Sequence, residues 1–292
     1  MIDFKSLETF VWVVNLRSFN GAAEKLHTTQ PAISQRIARL EADMGVRLLN
    51  RDNRNITPTH SGRLMLGYAE RLLNLRSEML ANVRDTSAMR GVLRIGVSET
   101  IVHTWLPRFM QMAKRAYPAL TLEVDVDISP SMRSRLLAQE IDLAFLVGPV
   151  EGTEIRNRIL CTHRVVFVAS PELSVPRPAT LQDLASFPIF TFPRKTQPYE
   201  MVKALFSRHD LAHVSLNASA SLATVRLMAL GALGIAVLPP EIVQAELADG
   251  SLHLIETEIT VPDLTFSATW ISSPDTLAIE LIADIAVAAS AG

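Results

Sequence analysis

The segment that most constrains this chain is GAAEKLHTTQPAISQRIARLEADMG, residues 21–45. It opens with a helical pattern of small residues that Ser18 can cap, and the polar stretch HTTQP then interrupts that pattern. A second helix follows, with Pro31 in its first turn, where no amide donor is needed, and with Gly45 at its end. Two short helices joined by a polar turn predict a helix-turn-helix.

The flanking segments extend this motif on both sides. Residues 46–59, VRLLNRDNRNITPT, predict two short strands around a polar turn. Residues 4–16 predict an amphipathic helix capped by Asp3, with apolar side chains at three- and four-residue spacing, namely Phe4, Leu7, Phe10, Val11 and Val14. A helix before the motif and a hairpin after it predict the winged form of the helix-turn-helix.

The second helix of the motif has two different sides. At about 100° per residue, Ile37, Leu40 and Met44 fall within about 40° of Ile33 and form one buried stripe. The opposite side carries amides, hydroxyls, small apolar groups and arginine. A helix that needs only solvation is usually covered with glutamate and lysine, whereas one that enters a major groove needs groups that read base edges. This side therefore predicts DNA contact.

The predicted DNA-contacting residues lie on that side, at the start of the helix and in the hairpin. Gln30 can pair with adenine, and the two threonines before it stand where free helix amides favour a phosphate. Arginines in or beside the hairpin turn can enter a minor groove, although they could also serve only to solvate the turn. The predicted set is Thr28, Thr29, Gln30, Pro31, Ser34, Gln35, Arg39, Arg51 and Arg54.

The charge distribution fits a polyanionic partner for the N-terminal part alone. The chain has a net charge of −2, yet residues 1–90 hold 13 lysines and arginines against 9 aspartates and glutamates. Residues 91–292 hold the other 15 basic and 21 acidic residues. A basic first third on an acidic remainder is typical of a protein in which only one part meets nucleic acid.

The stretches SFNGAAEKLHTTQPAISQRIARLE, GVRLLNR and TPTHSG closely resemble the N-terminal domain of LysR-type transcriptional regulators, and the match is dense over residues 7–62. Gln35 stands where that family often has arginine. The resemblance implies a DNA-binding dimer formed through a linker helix, often assembled further to a tetramer. It also implies an inducer-binding domain built of two α/β subdomains.

Residues 61–89 form one long helical run without proline. The run carries two apolar rows, one of Met65, Tyr68, Leu72, Leu75 and Met79 and a second of Leu66, Ala69, Leu73 and Leu80. An isolated helix has no use for so wide an apolar stripe. The pattern therefore predicts pairing with another helix, either parallel or antiparallel.

From residue 91 the pattern becomes repeated β-α-β, which predicts α/β structure with largely parallel sheets. Two lobes of similar size, with the chain crossing between them near residues 163–168 and 262–268, resemble periplasmic solute-binding proteins. The predicted fold class is α/β with an N-terminal all-α winged helix-turn-helix at 1–60 and a long linker helix at 61–90. A C-terminal two-lobed periplasmic-binding-protein-like effector domain is predicted at 91–292. Its lobe I comprises 91–163 and 268–292, and its lobe II comprises 164–267.

Small ligands bind between such lobes, at the carboxyl ends of strands and the N-termini of helices. Hydroxyl-bearing loops in those places suit a carboxylate or another anion. Two alternatives stay open, because the hydroxyls can be simple helix caps and because Glu99, if it faces the ligand, disfavours an anion. The predicted effector-binding set is Ser98, Glu99, Thr100, Gly148, Thr191, Phe192, Ser219, Ser221 and Pro239.

No sequence motif here predicts catalysis, a cofactor or a metal site. The G-x-S-x-G, G-x-x-x-x-G-K-[ST] and G-x-G-x-x-G patterns do not occur, and the lone cysteine, Cys161, excludes an intramolecular disulfide framework and a cysteine-cluster zinc site. Cys161 is expected to be a small buried or strand residue. No stretch approaches 18 uninterrupted apolar residues, and the N-terminus lacks a signal-peptide pattern, so we expect a cytoplasmic protein without membrane contact.

Together these patterns predict a sequence-specific DNA-binding regulator rather than an enzyme. We expect a homodimer or homotetramer on an interrupted inverted repeat in double-stranded DNA, controlled by a small and, from the hydroxyl-bearing loops, anionic effector. One alternative is a ligand-independent repressor or architectural protein whose C-terminal lobes only mediate oligomerisation. Another is a solute-binding or enzymatic protein whose N-terminal domain has lost DNA binding.

Overall fold

The structure is a computed structural model that describes residues 2–52, 55–83, 89–152, 154–207, 214–272 and 276–291. The chain forms two compact units. The first comprises Met1–Met89 with Ile271–Leu281, and the second comprises Arg90–Trp270 with Ile282–Gly292.

The first unit begins with three helices whose ends follow from local chemistry. Helix α1 begins where Oδ1 of Asp3 accepts a hydrogen bond from the Ser6 amide at 2.7 Å, and α2 begins where Oγ of Ser18 accepts one from the Gly21 amide at 3.0 Å. Helix α3 ends at Gly45, whose φ of +67° is a left-handed conformation that glycine adopts without strain. The three helices are α1 (Phe4–Leu16), α2 (Phe19–Lys25) and α3 (Gln30–Met44).

The core of this unit is formed by the predicted apolar sides of α1 and α3. Ile33, Ile37 and Leu40 are buried together with Phe10 and other residues of α1. Met44, which the same spacing assigns to the buried stripe, is 39% exposed. That part of the prediction is wrong, because α3 extends one turn beyond the core against which it packs.

A hairpin follows α3 and is attached to it. Strands β1 (Leu49–Asp52) and β2 (Asn55–Pro58) pair antiparallel. Oε1 of Glu41, on α3, accepts hydrogen bonds from the amides of Leu48 at 2.9 Å and of Leu49 at 3.2 Å. The helix therefore sets the position at which the hairpin starts.

Helix α4 (His60–Val83) carries the two apolar rows of the predicted linker helix. Ala69 and Leu73, from the second row, are buried against residues of α1. The first row is largely exposed: Tyr68 is 63% and Leu75 is 62% exposed, and Leu72 and Met79 are exposed as well. Only one of the two rows is therefore covered within the chain. The side chain of Leu80 lies outside the described part of the structure.

After residue 90, strands and helices alternate over most of the chain, as the sequence pattern predicts. The prediction of a helix between every two strands fails at two places, because β5 is followed by β6, and β10 by β11, in the order of the described elements. The strands are β3 (Gly91–Val97), β4 (Leu120–Val126), β5 (Leu143–Val147), β6 (Ile155–Ala169), β7 (Ile189–Thr191), β8 (Leu216–Ala218), β9 (Ile235–Leu238), β10 (His253–Leu254) and β11 (Val261–Ile271). The helices are α5 (Glu99–His103), α6 (Leu106–Ala116), α7 (Ser129–Leu137), α8 (Leu181–Ala185), α9 (Gln197–Ser207), α10 (Leu222–Leu230), α11 (Gln244–Asp249) and α12 (Leu277–Ser290), with a 3₁₀ turn at Pro240–Val243.

The strands form one mixed sheet with the order β4-β3-β5-β11-β6-β9-β7-β8, and β10 pairs with β6. Pairs within each half are parallel, namely β3 with β4 and β5, and β7 with β8 and β9. The two central strands are antiparallel to their neighbours, β11 to β5 and β6 to β9. The expectation of largely parallel sheets therefore holds within each half and fails at the centre.

The two central strands are also the longest in the second unit. The first predicted crossing, 163–168, lies within β6, and the second, 262–268, lies within β11. Residues 166–168 of β6 pair with β9, whereas residues 266–269 of β11 pair with β5. β11 therefore pairs with the half that contains β5, and β6 pairs with the half that contains β9. β11 and β6 lie next to each other where the two halves meet.

Across the described ranges, no helix combines the length and the apolar character that crossing a membrane requires.

Candidate DNA-binding and effector sites

The outer side of α3 presents the predicted DNA-contacting residues to solvent. Gln30, Pro31, Gln35 and Arg39 are exposed, and Ser34 is half-buried. They protrude because the opposite side of the same helix is anchored in the core. The arrangement leaves amides, a hydroxyl and a guanidinium on one side of a helix, which is the chemistry that reads base edges and phosphates.

The start of α3 lies at the same exposed edge. Thr29 occupies the N-cap position, but its side chain makes no capping hydrogen bond to the helix amides. Thr28, one residue earlier, is half-buried. The uncapped amides of a helix N-terminus carry partial positive charge and can donate hydrogen bonds to a phosphate oxygen from outside the chain.

The arginines of α3 influence the start of α1. The pKa of Asp3 is lowered, chiefly by the hydrogen bond from the Ser6 amide, and Arg39 and Arg36 lower it further through their charge. The positive field of α3 therefore extends over the beginning of α1.

Two predicted contacts, Arg51 and Arg54, belong to the segment that the sequence predicts as the hairpin. The backbone of Arg51 lies in β1 opposite Ile56, but its side chain is outside the described part of the structure. Arg54 lies wholly outside the described residues. Their contact with DNA stays a prediction.

The second unit contains a cavity of about 170 Å³ where strand ends meet helix starts. The start of α5 contributes to one wall, and the residues after β7 together with the start of α10 contribute to another. Most of the lining is apolar. The lining residues are Ser98, Glu99, Thr100, Val126, Asp127, Ile128, Ser129, Val147, Phe192, Pro193, Thr196, Pro198, Ala220, Leu222, Leu264 and Phe266.

Four of the nine predicted effector-binding residues line this cavity, namely Ser98, Glu99, Thr100 and Phe192. Ser98 and Thr100 are buried residues at the start of α5, and Glu99 is half-buried between them. The prediction from strand ends and helix starts thus identified one complete loop of the cavity lining, residues 98–100, and one residue of the opposite wall, Phe192.

Two predicted serines lie beside the cavity wall and use their side chains internally. Oγ of Ser219 donates to the carbonyl of Ser221 at 3.0 Å and accepts from the Ser221 amide at 3.1 Å. Oγ of Ser221 accepts from the Thr224 amide at 3.3 Å and so caps α10. Ser221 is therefore a helix cap, as the alternative interpretation of the hydroxyls predicted. Neither Ser219 nor Ser221 is among the lining residues.

The other three predicted residues also lie outside the lining. Thr191 is buried, and its hydroxyl donates to the carbonyl of Val237 at 3.4 Å. Gly148 packs against β11, since an added Cβ would lie 2.3 Å from Oγ of Ser267. Pro239 is buried at the start of the 3₁₀ turn.

The loop after β4 lines the cavity but was not in the predicted set. Asp127, Ile128 and Ser129 join this strand to α7, which is the same strand–loop–helix signal that singled out residues 98–100. The carboxylate of Asp127 accepts hydrogen bonds from the Ile128 amide at 2.7 Å and from the Ser131 hydroxyl. This signal was present in the sequence and could have found the loop.

Glu99 is the most connected polar group of the lining. Its Oε2 accepts from the Leu222 amide at 2.7 Å, and its Oε1 accepts from the Ser221 hydroxyl at 3.0 Å. Nε2 of His103 lies 3.4 Å from the same Oε1. The carboxylate therefore ties the start of α5 to the start of α10 across the cavity.

Cys161 lies in β6, half-buried, as a strand residue. Its Sγ is 3.5 Å from Nε2 of His163, whose Nδ1 is 3.4 Å from Oε1 of Glu241. Burial raises the pKa of the Cys161 thiol. A protonated, half-buried thiol has little nucleophilic character at neutral pH.

Two family descriptions match the chain, one over its N-terminal part and one over most of the remainder. Residues 4–63 match the bacterial regulatory helix-turn-helix protein of the lysR family, and residues 86–290 match the LysR substrate binding domain. The chain belongs to the LysR family of transcriptional regulators. The helix-turn-helix and hairpin of the first unit are the family's DNA-binding domain, and the cavity lies in the domain that this family uses for effectors.

Relatives within the LysR family match most of the chain. PtxR from Pseudomonas aeruginosa is 33% identical over 259 residues, which cover 86% of this chain and 81% of PtxR. BbuR from Bordetella bronchiseptica is 29% identical over 254 residues, covering 86% of this chain and 78% of BbuR. Both are HTH-type transcriptional regulators.

A solved structure agrees with this fold. Full-length LysG from Corynebacterium glutamicum, with its effector Arg bound, matches 99% of this chain and 98% of its own with a TM-score of 0.64. The identity is 21%, so this likeness to a LysR-type regulator concerns the fold alone.

Proposed function

We propose that this LysR-family regulator binds an interrupted inverted repeat in DNA as a dimer or tetramer and that a small effector in the cavity of the second unit controls it. The domain boundaries at residues 60 and 90 belong to this proposal. So do the predicted DNA contacts and the cytoplasmic location. The protein acts by binding rather than by catalysis.

The outer side of α3 is the observation that carries the DNA-binding part. Ile33 and Ile37 hold the helix in the core, so Gln30 and Gln35 point away from it on the exposed side. A glutamine can pair with adenine through two hydrogen bonds in the major groove. The start of α3 and its arginines supply phosphate contacts that fix the helix in register.

The exposed row of α4 supports self-association. Tyr68, Leu72, Leu75 and Met79 place apolar surface on one side of a long helix, whereas Ala69 and Leu73 of the second row are buried against α1. A second copy of α4 would cover this surface through a helix pair. Two copies related by a twofold axis would present two α3 helices, which accounts for the inverted repeat.

The cavity supports control by a ligand over the ligand-independent alternative. A domain that only mediated oligomerisation would need no open, largely apolar space with a few polar groups at its edge. Because the wall combines loops from both halves of the sheet, a ligand can favour one relative placement of the halves and so alter the DNA complex.

Binding to DNA is tested with Gln30→Ala and a matched control. A preferred duplex is first selected from random sequences with the native protein, and affinities for it and for random duplex are then measured by fluorescence anisotropy. Gln30→Ala should lose about 1–3 kcal/mol on the selected site and little on random DNA. Gln111→Ala, an exposed glutamine on α6, should lose nothing on either.

Salt dependence separates this proposal from the solute-binding or enzymatic alternative. The affinity of the native protein for both duplexes should fall steeply as salt rises, because bound lysines and arginines release counterions from the phosphates. Absence of any salt-dependent DNA affinity would reject the regulator proposal. If Gln30→Ala lost equal binding free energy on both duplexes, Gln30 would be a phosphate contact that does not read the base sequence.

A further inference from the structure

The start of α10 is already occupied by a carboxylate of the chain itself. Helix N-termini attract anions because their first amides are unpaired and carry partial positive charge. Here the amide of Leu222 donates to Oε2 of Glu99 at 2.7 Å, and the hydroxyl of Ser221 donates to Oε1 at 3.0 Å. Glu99 therefore takes the position that the carboxylate of an anionic ligand would seek.

This carboxylate is held firmly within the cavity lining. The side chain of Glu99 is only 20% exposed, and His103, one turn along α5, contacts Oε1 from a third direction. A carboxylate has about four lone-pair directions, so about one remains for a further donor. The group can thus bind a ligand donor without releasing α10.

The charge of the lining works against an anion. Among the described residues that line the cavity, Glu99 and Asp127 are acidic and none is lysine, arginine or histidine. An anion that displaced Glu99 from α10 would lie next to the Glu99 carboxylate. No lysine or arginine among the described lining residues would offset the negative charges of the anion and of Glu99. Two adjacent negative charges in a partly desolvated site repel each other strongly.

The rest of the lining selects an apolar body of limited size. Phe192, Phe266 and Leu264 contribute to it, together with two prolines and two valines. A cavity of about 170 Å³ is close in volume to engineered cavities that bind benzene, so the ligand has about six to ten non-hydrogen atoms.

We propose that Glu99 is a built-in occupant of the anion position at the start of α10, so that the cavity takes a small ligand with a protonated amine on an apolar body and rejects carboxylates. This inference rests on the proposed function, in which the cavity is the effector site. It reverses the expectation of an anionic effector that the hydroxyl-bearing loops suggest.

The test compares three probes that share one ring and differ in the charge of the head group: benzylamine, benzyl alcohol and benzoate. Binding to the full-length protein is measured by ligand-observed NMR titration at about pH 8, where histidines carry little charge. Benzylamine should bind at least about tenfold more tightly than benzoate, with benzyl alcohol between them. Tighter binding of benzoate, or binding of none of the three, would overturn the inference.

Two variants assign the preference to Glu99. Glu99→Gln keeps a side chain of the same shape and should reduce the preference for the amine to less than about threefold. Glu99→Ala empties the start of α10 and should increase the affinity for benzoate over that of the native protein. Glu140→Gln, an exposed carboxylate outside the lining, should leave all three affinities unchanged.

Loss of the amine preference in Glu140→Gln, or its persistence in Glu99→Gln, would also reject the inference. The DNA-binding measurements are made on the same preparations. A protein that binds its selected duplex but prefers benzoate contradicts only this inference, whereas a protein without salt-dependent DNA affinity contradicts the proposed function.

Discussion

Gly62 packs directly against the carbonyl of Leu48, so closely that an added Cβ would lie 2.0 Å from that oxygen. The same carbonyl accepts a hydrogen bond from the amide of Thr59 at 2.9 Å, and Oγ1 of Thr59 accepts one from the Gly62 amide at 3.0 Å. The start of the hairpin and the start of α4 thus meet at one backbone oxygen. The glycine in the TPTHSG stretch is needed for this close approach.

Replacing Gly62 by alanine should destabilise the first unit, because a backbone carbonyl cannot move aside without shifting the hairpin. We expect a loss of about 1–3 kcal/mol in the free energy of unfolding, measured as faster hydrogen exchange of amides in α1 and α3.

Gly67→Ala is the matched control, since Gly67 lies in the interior of the same helix and nothing stands within 4 Å of its added Cβ. This change should stabilise α4 by about 0.5–1 kcal/mol. Equal effects of the two substitutions would contradict the role given to the Leu48 carbonyl.

The cap of α1 predicts a pH-dependent stability. The hydrogen bond from Ser6 lowers the pKa of Asp3 in the folded state, so its contribution is complete above the unfolded value of about 3.9 and is lost as pH falls through the folded value. Asp3→Ala should therefore cost about 1 kcal/mol near neutral pH and progressively less in acid.

The measurement is a series of urea-unfolding midpoints from about pH 3 to about pH 7. Asp3→Asn keeps an acceptor for the Ser6 amide but has no carboxyl to titrate, so its difference from Asp3→Ala should not vary with pH. A constant difference between the native protein and Asp3→Ala would refute the titration of this cap.

The exposed row of α4 predicts a charge-sensitive dimer. Leu75→Glu would bury a carboxylate in the helix pair and should weaken self-association by about tenfold or more, seen by analytical ultracentrifugation as a shift towards the monomer. Leu137→Glu, an exposed leucine of α7, should sediment like the native protein. Dimers that tolerate Leu75→Glu would exclude this row as the interface.

The raised pKa of Cys161 predicts slow alkylation. Burial leaves little thiolate at neutral pH, so iodoacetamide should modify the folded protein at least about tenfold more slowly than a model peptide thiol. Because the chain has a single cysteine, mass spectrometry follows the reaction without ambiguity. Alkylation of Cys161 should begin to speed up at a higher pH than alkylation of the peptide thiol. The difference between the two rates should disappear in urea, where the protein is unfolded.

Features that depend on residues near one another in the chain could be read from the sequence. The ends of α1 and α3 follow from Asp3 and Gly45, and the buried stripe of Ile33, Ile37 and Leu40 follows from helical periodicity. The outer side of α3 is then determined as well, since it is whatever that stripe leaves facing solvent. The loop at residues 98–100 was found because it joins a strand to a helix.

Features that depend on contacts between residues distant in sequence were decided only by the tertiary structure. Periodicity gives α4 two equivalent apolar rows, and only the packing of Ala69 and Leu73 on α1 decides which one stays exposed. The hydroxyl-bearing loops suggest an anion site in the cavity. Glu99 and Leu222 are 123 positions apart in the sequence, so only the folded structure shows that the carboxylate of Glu99 already fills that site. Local patterns specify backbone conformation through neighbouring residues, whereas the charge and shape of a cavity arise from side chains that only the completed fold brings together.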